Sequence, residues 1–251
     1  MKVEGGSLSA TGAAGIYSYG IYILNGGFSI SGDATQVKAI GGTATQNSSG
    51  VTCIANDGTN YTLTITGGTL NAKGGTSTES SSYGIYCKND ALTVNDGTVT
   101  AEGGTSSGSS SYGVYTENDN VVITGGALIA TGGEAGLNSS GVYSQKGLQV
   151  EGGVLTASGD NYGVYTKTGI TVNDGTVTAK GGTSTGSSSY GICCEDGALT
   201  VNSGRVDAVG GDTTGNPSYG ICCEKGALTV NGGRVGADGG TSTGSSSCGV
   251  Y

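Results

Sequence analysis

The chain has 251 residues, a net charge of −9, 53 glycines, one proline, and neither tryptophan nor histidine. Its ten basic residues are scattered, as at Lys38, Lys73, Lys88, Lys146 and Lys180, and form no stripe that would track phosphates, so no nucleic-acid partner is expected. The glycines keep no three-residue period, which excludes collagen, and no apolar run is long enough to span a bilayer, so no membrane insertion is expected.

A chain this rich in Gly, Ser, Thr and Asn would be disordered if its apolar residues were few and random. Here 34% of residues are apolar, and they recur at fixed spacing. In chain order, Met1-Lys2-Val3-Glu4-Gly5-Gly6 enters the first repeat at once, leaving no room for a signal peptide. The anchor Gly-Ile/Val then returns with the apolar residue at Ile16, Val51, Ile85, Val114, Val142, Val164, Ile192, Ile221 and Val250. A second anchor, an apolar residue before a polar turn ending in Gly, falls at Val3, Leu24, Ile65, Val94, Ile123, Val150, Val172, Val201 and Val230. The last repeat breaks off at Cys248-Gly249-Val250-Tyr251. The expectation is one solenoid domain over 1–251, a fragment of a longer repeat protein with its caps and export signal elsewhere.

The commonest repeat is 28 or 29 residues, but Val142 to Val164 spans only 22. The difference lies in segments such as 74–82, 103–111, 181–189 and 239–247, which read as loops on one face. Two further segments, 28–36 and about 55–60, read as insertions. Within a repeat, three short arms alternate apolar and polar residues, as in Ile85/Cys87, Leu92/Val94 and Val99/Ala101. Period two means strand, and the Gly, Asn and Asp between arms suit corners. A third inner column follows from Leu8, Val37, Leu70, Val99, Leu128, Leu155, Val177, Val206 and Val235. The predicted fold is all-β: a single right-handed parallel β-helix of about nine turns, three strands per turn, with almost no helix. Propeller and leucine-rich alternatives fail on strand number and leucine content.

The units Tyr83-Gly84-Ile85-Tyr86, Ala91-Leu92-Thr93-Val94-Asn95-Asp96-Gly97 and Thr98-Val99-Thr100-Ala101-Glu102-Gly103-Gly104 resemble glycine-rich repeats of large surface proteins of anaerobic gram-positive bacteria. Some of those are similar to carbohydrate-binding β-helix domains related in fold to pectate lyases. The resemblance implies an extracellular or cell-surface location and no particular ligand residue.

Four groups of side chains are candidates for function. Tyr86, Tyr115, Tyr143 and Tyr165 fall one step after the first anchor, on the outward face, and a second set, Tyr83, Tyr112, Tyr162, Tyr190 and Tyr219, falls two steps before it. They read either as a stacked scaffold or as a strip for sugar rings. Cys193 and Cys222 occupy the same outward position, while Cys53, Cys87, Cys194 and Cys223 follow on the inside. An odd cysteine count and the absence of His argue for free thiols over a disulfide framework or zinc site, with a Cys193–Cys222 bridge as the alternative. The column Lys88, Glu117, Gln145, Lys167, Glu195, Glu224 reads as mixed and solvated, offering neither a calcium cage nor a glycosidase pair. Outward threonines of the third arm are not sustained enough for an ice-binding array. The expectation is therefore a non-enzymatic surface or adhesin-like module with polysaccharide as its ligand class and no cofactor or metal. A purely structural stalk or trimeric fibre segment is the alternative and a polysaccharide lyase a remote third. Exposed core at the ends predicts end-to-end self-association.

Overall fold

The computed structural model describes residues 1–251 and is a right-handed parallel β-helix without any helix. A nine-stranded sheet is built from one arm of each turn, ordered strictly along the axis from Ser18–Leu24 through Ser82–Lys88 to Ser247–Val250. The other two arms of each turn form one sixteen-stranded sheet, because Tyr61–Lys73 and Asp90–Glu102 run unbroken around the corner and join them. All inter-turn pairing is parallel, and within the arms it is in register, for example Val99 with Leu70 and Leu128; the register shifts only at the Thr66 corner between the two long strands. At the usual strand spacing of about 4.8 Å, nine turns make a rod of roughly 40 Å.

The predicted inner columns form a single continuous core. Val51, Ile85, Val114, Val142, Val164, Ile192 and Ile221 are fully buried, as are Leu63, Ile65, Leu92 and Val94 from the second arm and Val37, Leu70 and Val99 from the third. Their alternation with exposed Thr, Asn and Lys sets which face each arm turns inward.

Three expectations need correction. The first-turn anchor is Ile21, not Ile16: Ile21 pairs with Val51 and is 6% exposed, whereas Ile16 is 65% exposed. The second anchor of the next turn is Ile30, not Leu24, since Ile30 pairs with Val3 and Ile65 while Leu24 is 51% exposed. Residues 28–31 are thus a regular arm, Phe28–Ser31, rather than an insertion. The irregular corner lies at 25–27, where the Asn25 side-chain oxygen accepts from the Asn56 amide of the next turn's long corner.

The loop face is also more ordered than the sequence suggests. Gly15, Ala44, Ser77, Ser106 and Ala135 are bridged rung to rung, and so are Ser184 and Thr213; Thr213–Thr214 pairs in turn with Ser242–Thr243. The loops therefore stack as a fourth side of the helix. The 22-residue turn has no such segment, and the fourth-side ladder is interrupted between Ala135 and Ser184.

Alternation slips by one residue where the first arm begins. At Gly84 an added Cβ would stand 2.6 Å from both the Glu102 amide nitrogen and the Gly113 carbonyl oxygen. Gly84 thus faces the backbone of the third arm, and Ile85 faces the core immediately after it. That slip leaves Tyr83 on the same outer face as Tyr86, their ring centroids 5.0 Å apart.

Candidate functional site

Register places Tyr86, Tyr115, Tyr143 and Tyr165 on four consecutive rungs. Their ring centroids are 5.6, 5.3 and 4.3 Å apart in succession, the last two pairs stacked within 16° of parallel. The second tyrosine set interleaves with the first, with Tyr83 stacked on Tyr112 at 5.6 Å and Tyr162 on Tyr190 at 5.1 Å. Tyr83, Tyr112, Tyr165 and Tyr219 are buried, and the remaining members of both sets are half-buried. The rings spend most of their faces on one another, so the surface offered to solvent is a ridge of ring edges and hydroxyls.

Those hydroxyls are engaged as well. Tyr86 Oη donates to Glu117 Oε2 at 2.8 Å, Gln145 Nε2 donates to Tyr115 Oη at 2.5 Å, and Tyr165 Oη donates to Glu195. The column that reads as an unpatterned mixture is therefore matched in part to the rung beneath it: Glu117, Gln145 and Glu195 each stand where the preceding turn offers a tyrosine hydroxyl, whereas Lys167 follows Tyr143 without such a bond. Lys88 adds an ion pair to Glu117 at 3.4 Å. Burial raises the phenol pKa along the ladder, to about 12 at Tyr112, and does the same at Tyr19, which packs on Tyr17 and Tyr22 in the first turn. At Tyr86 and Tyr165 burial and the carboxylate acceptor act together and push it higher still.

All seven cysteines are free thiols. Cys53 and Cys87 stack in the interior, and so do Cys194 and Cys223. The turns between them carry Thr116, Ser144 and Thr166 in the same column, where Thr116 Oγ1 donates to Ser144 Oγ at 2.8 Å and Thr166 Oγ1 to Cys194 Sγ at 3.6 Å. A small side chain with one weak polar atom suits that column, whether oxygen or sulfur. Cys193 and Cys222 differ: they continue the outward tyrosine column, and both are buried against Tyr165 and Tyr219.

A device absent from the sequence reading ties the loop face to the first arm. Each serine just before the Tyr-Gly pair is buried and bridges two turns. Ser82 Oγ donates to the Gly75 carbonyl of its own turn at 2.8 Å and accepts from the Gly104 amide of the next at 3.0 Å. Ser111 does the same with Gly104 and Gly133, Ser189 with Gly182 and Gly211, and Ser218 with Gly211 and Gly240. The signal was present as a serine three residues before most anchors, among them Ile85, Val114, Ile192 and Ile221. A second such relay is polar and exposed: Asn231 Nδ2 donates to Asn202 Oδ1, Asn202 Nδ2 to Asn173 Oδ1, and Asn173 Nδ2 to Glu151.

The serine relay fails at the short turn. The next turn there has no Gly-Gly loop, so Ser139 Oγ is buried without a partner, as is Ser140 Oγ. Asn161 takes the serine position and partly repairs the gap, its Oδ1 accepting from the Ser139 amide at 3.0 Å. The missing loop leaves a notch of about 340 Å³ lined only by polar residues and glycines, among them Thr131, Ser158, Asp160 and Lys180. Burial raises the Asp160 carboxyl, helped by the nearby Glu134 charge. On the third arm, the outward column is Thr98, Ala127, Val154, Thr176, Arg205 and Arg234, the broken array read from the sequence.

Comparison of the chain with protein-family models, with curated proteins and with solved structures gave no match.

Proposed function

We propose that the chain is a non-enzymatic, stalk-like spacer module of a surface protein. The observation that carries this reading is that its side-chain ladders run along the axis and, away from the short turn, are largely satisfied between neighbouring turns. Tyrosine rings cover tyrosine rings, their hydroxyls meet Glu117, Gln145 and Glu195, serine hydroxyls meet glycine backbone, and Asn meets Asn. Interactions satisfied between neighbouring turns make a stiff, extendable rod, the usual behaviour of a solenoid. The resemblance to surface-protein repeats supports the extracellular setting.

Polysaccharide recognition is the second reading, and one observation favours it: the notch at the short turn interrupts an otherwise uniform face with unmatched polar groups, including Asp160 and Lys180. A glycan-array screen of the whole chain separates the two. The spacer reading expects no reproducible binding. Binding that survives Tyr115→Ala with Tyr143→Ala but is lost in Asp160→Ala would replace it with notch recognition, and loss in the tyrosine pair would restore the aromatic strip. The spacer reading also has a positive test. Excising residues 83–111, one full turn, joins Ser82 to Tyr112 in matching register. The shortened chain should stay folded, keep the association state of the full chain, and lose about 4.8 Å of length per molecule by small-angle scattering. A trimer in solution would favour a fibre segment instead.

A further inference from the structure

The outward tyrosine column is interrupted after Tyr165: the next two rungs carry Cys193 and Cys222 in its place, before Tyr251 resumes it on the last rung. Two bulky rings are thereby exchanged for two small thiols, and beside them lies a hollow of about 300 Å³ walled by Tyr190, Pro217, Tyr219, Cys222, Glu224 and Tyr251. The carboxylate column adds the third component. Elsewhere its Glu and Gln residues meet a tyrosine hydroxyl one turn back, but the residue beneath Glu224 is Cys193, whose Sγ lies 4.0 Å from Glu224 Oε1. Cys193 Sγ, Cys222 Sγ and a Glu224 oxygen all lie within 4.8 Å of one another. The thiols are 1% and 2% exposed, whereas the Glu224 side chain reaches solvent.

We propose that Cys193, Cys222 and Glu224 form a binding site for one thiophilic divalent cation of the zinc class. Paired thiolates select zinc-like and other soft ions over calcium or magnesium. A tetrahedral zinc with sulfur at about 2.3 Å and oxygen at about 2.0 Å sets sulfur and oxygen about 3.5 Å apart, so the present 4.0 Å needs only a side-chain adjustment. Two thiolates and one carboxylate carry three negative charges against the ion's two positive ones, and binding releases the two thiol protons to solvent. The fourth coordination position faces the tyrosine-walled hollow and is left to water or an incoming ligand. Competing charges are already committed: Lys225 is paired with Asp196 at 2.6 Å, and Glu195 accepts from Tyr165. The sequence argued against such a site because histidine is absent and the cysteine count is odd. The fold sorts the doubled pairs, turning Cys194 and Cys223 inward and leaving one pair outside with Glu224.

Cobalt(II) is the probe. It should be titrated into the full chain, reduced and kept free of oxygen, with thiolate-to-cobalt charge transfer read in the near ultraviolet. The expected result is a band saturating at one equivalent, displaced by zinc. The band should be lost in Cys193→Ser and in Cys222→Ser, weakened in Glu224→Gln, and retained in Cys53→Ser and Cys194→Ser. The variant Cys193→Tyr with Cys222→Tyr restores the tyrosine column, so it should fold with an unchanged circular dichroism spectrum and bind nothing. Absence of a band in the reduced wild-type chain, or a band that persists in folded Cys193→Ser and Cys222→Ser chains, overturns the assignment. So does a Cys193–Cys222 disulfide that, once reduced, still takes up no metal.

Discussion

Replacing Ser111 by alanine and Ser139 by alanine should have opposite consequences, although both serines occupy the same column of the same sheet. Ser111 Oγ donates to the Gly104 carbonyl at 2.6 Å and accepts from the Gly133 amide at 3.0 Å. Each net hydrogen bond is worth about 1 kcal/mol, and truncation also strands a glycine carbonyl and an amide that are only partly open to water, so Ser111→Ala should cost about 2–3 kcal/mol. Ser139 Oγ is buried with no partner, so removing it discards a desolvation penalty; Ser139→Ala should be neutral or stabilising by about 1 kcal/mol. Urea unfolding of the two variants, with midpoint and slope fitted separately, reads the difference. Native-state hydrogen exchange adds a local readout, since the Gly133 amide should lose protection in Ser111→Ala alone. Equal destabilisation by the two substitutions would refute the relay as an account of how the turns are joined.

The other expectations are as follows. Asp90 is buried with Oδ2 unpaired and its pKa raised by burial, so its unfolded form releases a proton first as pH rises. Stability should fall as pH climbs from the ordinary carboxylate range through that raised value, and Asp90→Asn should flatten the dependence and gain about 1 kcal/mol at neutral pH in urea titrations. The ladder tyrosines, and Tyr19 in the first turn, should resist ionisation in ultraviolet pH titration, with Tyr19 and Tyr112 near 12. Because their native pKa is raised, the stability they contribute is whole below about 10 and is lost as pH rises toward 12. Tyr86→Phe should cost about 1 kcal/mol by denaturant unfolding, through loss of the bond to Glu117. Gly84→Ala should cost about 3 kcal/mol by the same measurement, because its Cβ would press on two backbone atoms at 2.6 Å.

Most of the fold was legible because a solenoid writes its geometry into spacing. From Val51 to Ile221 the apolar columns read from the sequence are the buried columns of the structure, while in the last turn Val230 and Val250 are 48% and 49% exposed. The first turns were misread for a local reason: Gly15-Ile16-Tyr17 and Gly20-Ile21-Tyr22 are both plausible anchors, and only the second follows a serine, Ser18, that bonds to Gly42 of the next turn. The Gly26-Gly27 doublet likewise imitates a corner that belongs to Ser31-Gly32. The tyrosine positions were legible but their availability was not, since alternation states which way a ring points and says nothing of how far its neighbours cover it. The pairing of Tyr86 with Glu117 or Tyr165 with Glu195 spans about thirty residues and becomes visible only once register is known. The cluster of Cys193, Cys222 and Glu224 was hidden in the same way, its members lying on two different rungs.

The 22-residue turn has a further consequence for how such a repetitive chain finds one structure. Neighbouring repeats are so alike that sliding the chain by a whole repeat would preserve almost every strand pairing, and a ladder of interchangeable rungs has no inherent origin. A slipped arrangement would set the short turn beneath a partner with a full loop at the wrong height, move Asn161 away from the Ser139 amide, and displace the long corner at 55–60 from Asn25. These irregularities act as phase marks. They give the chain a unique numbering of its own turns, and the same marks oppose strand exchange between two copies whose rungs would otherwise be equivalent.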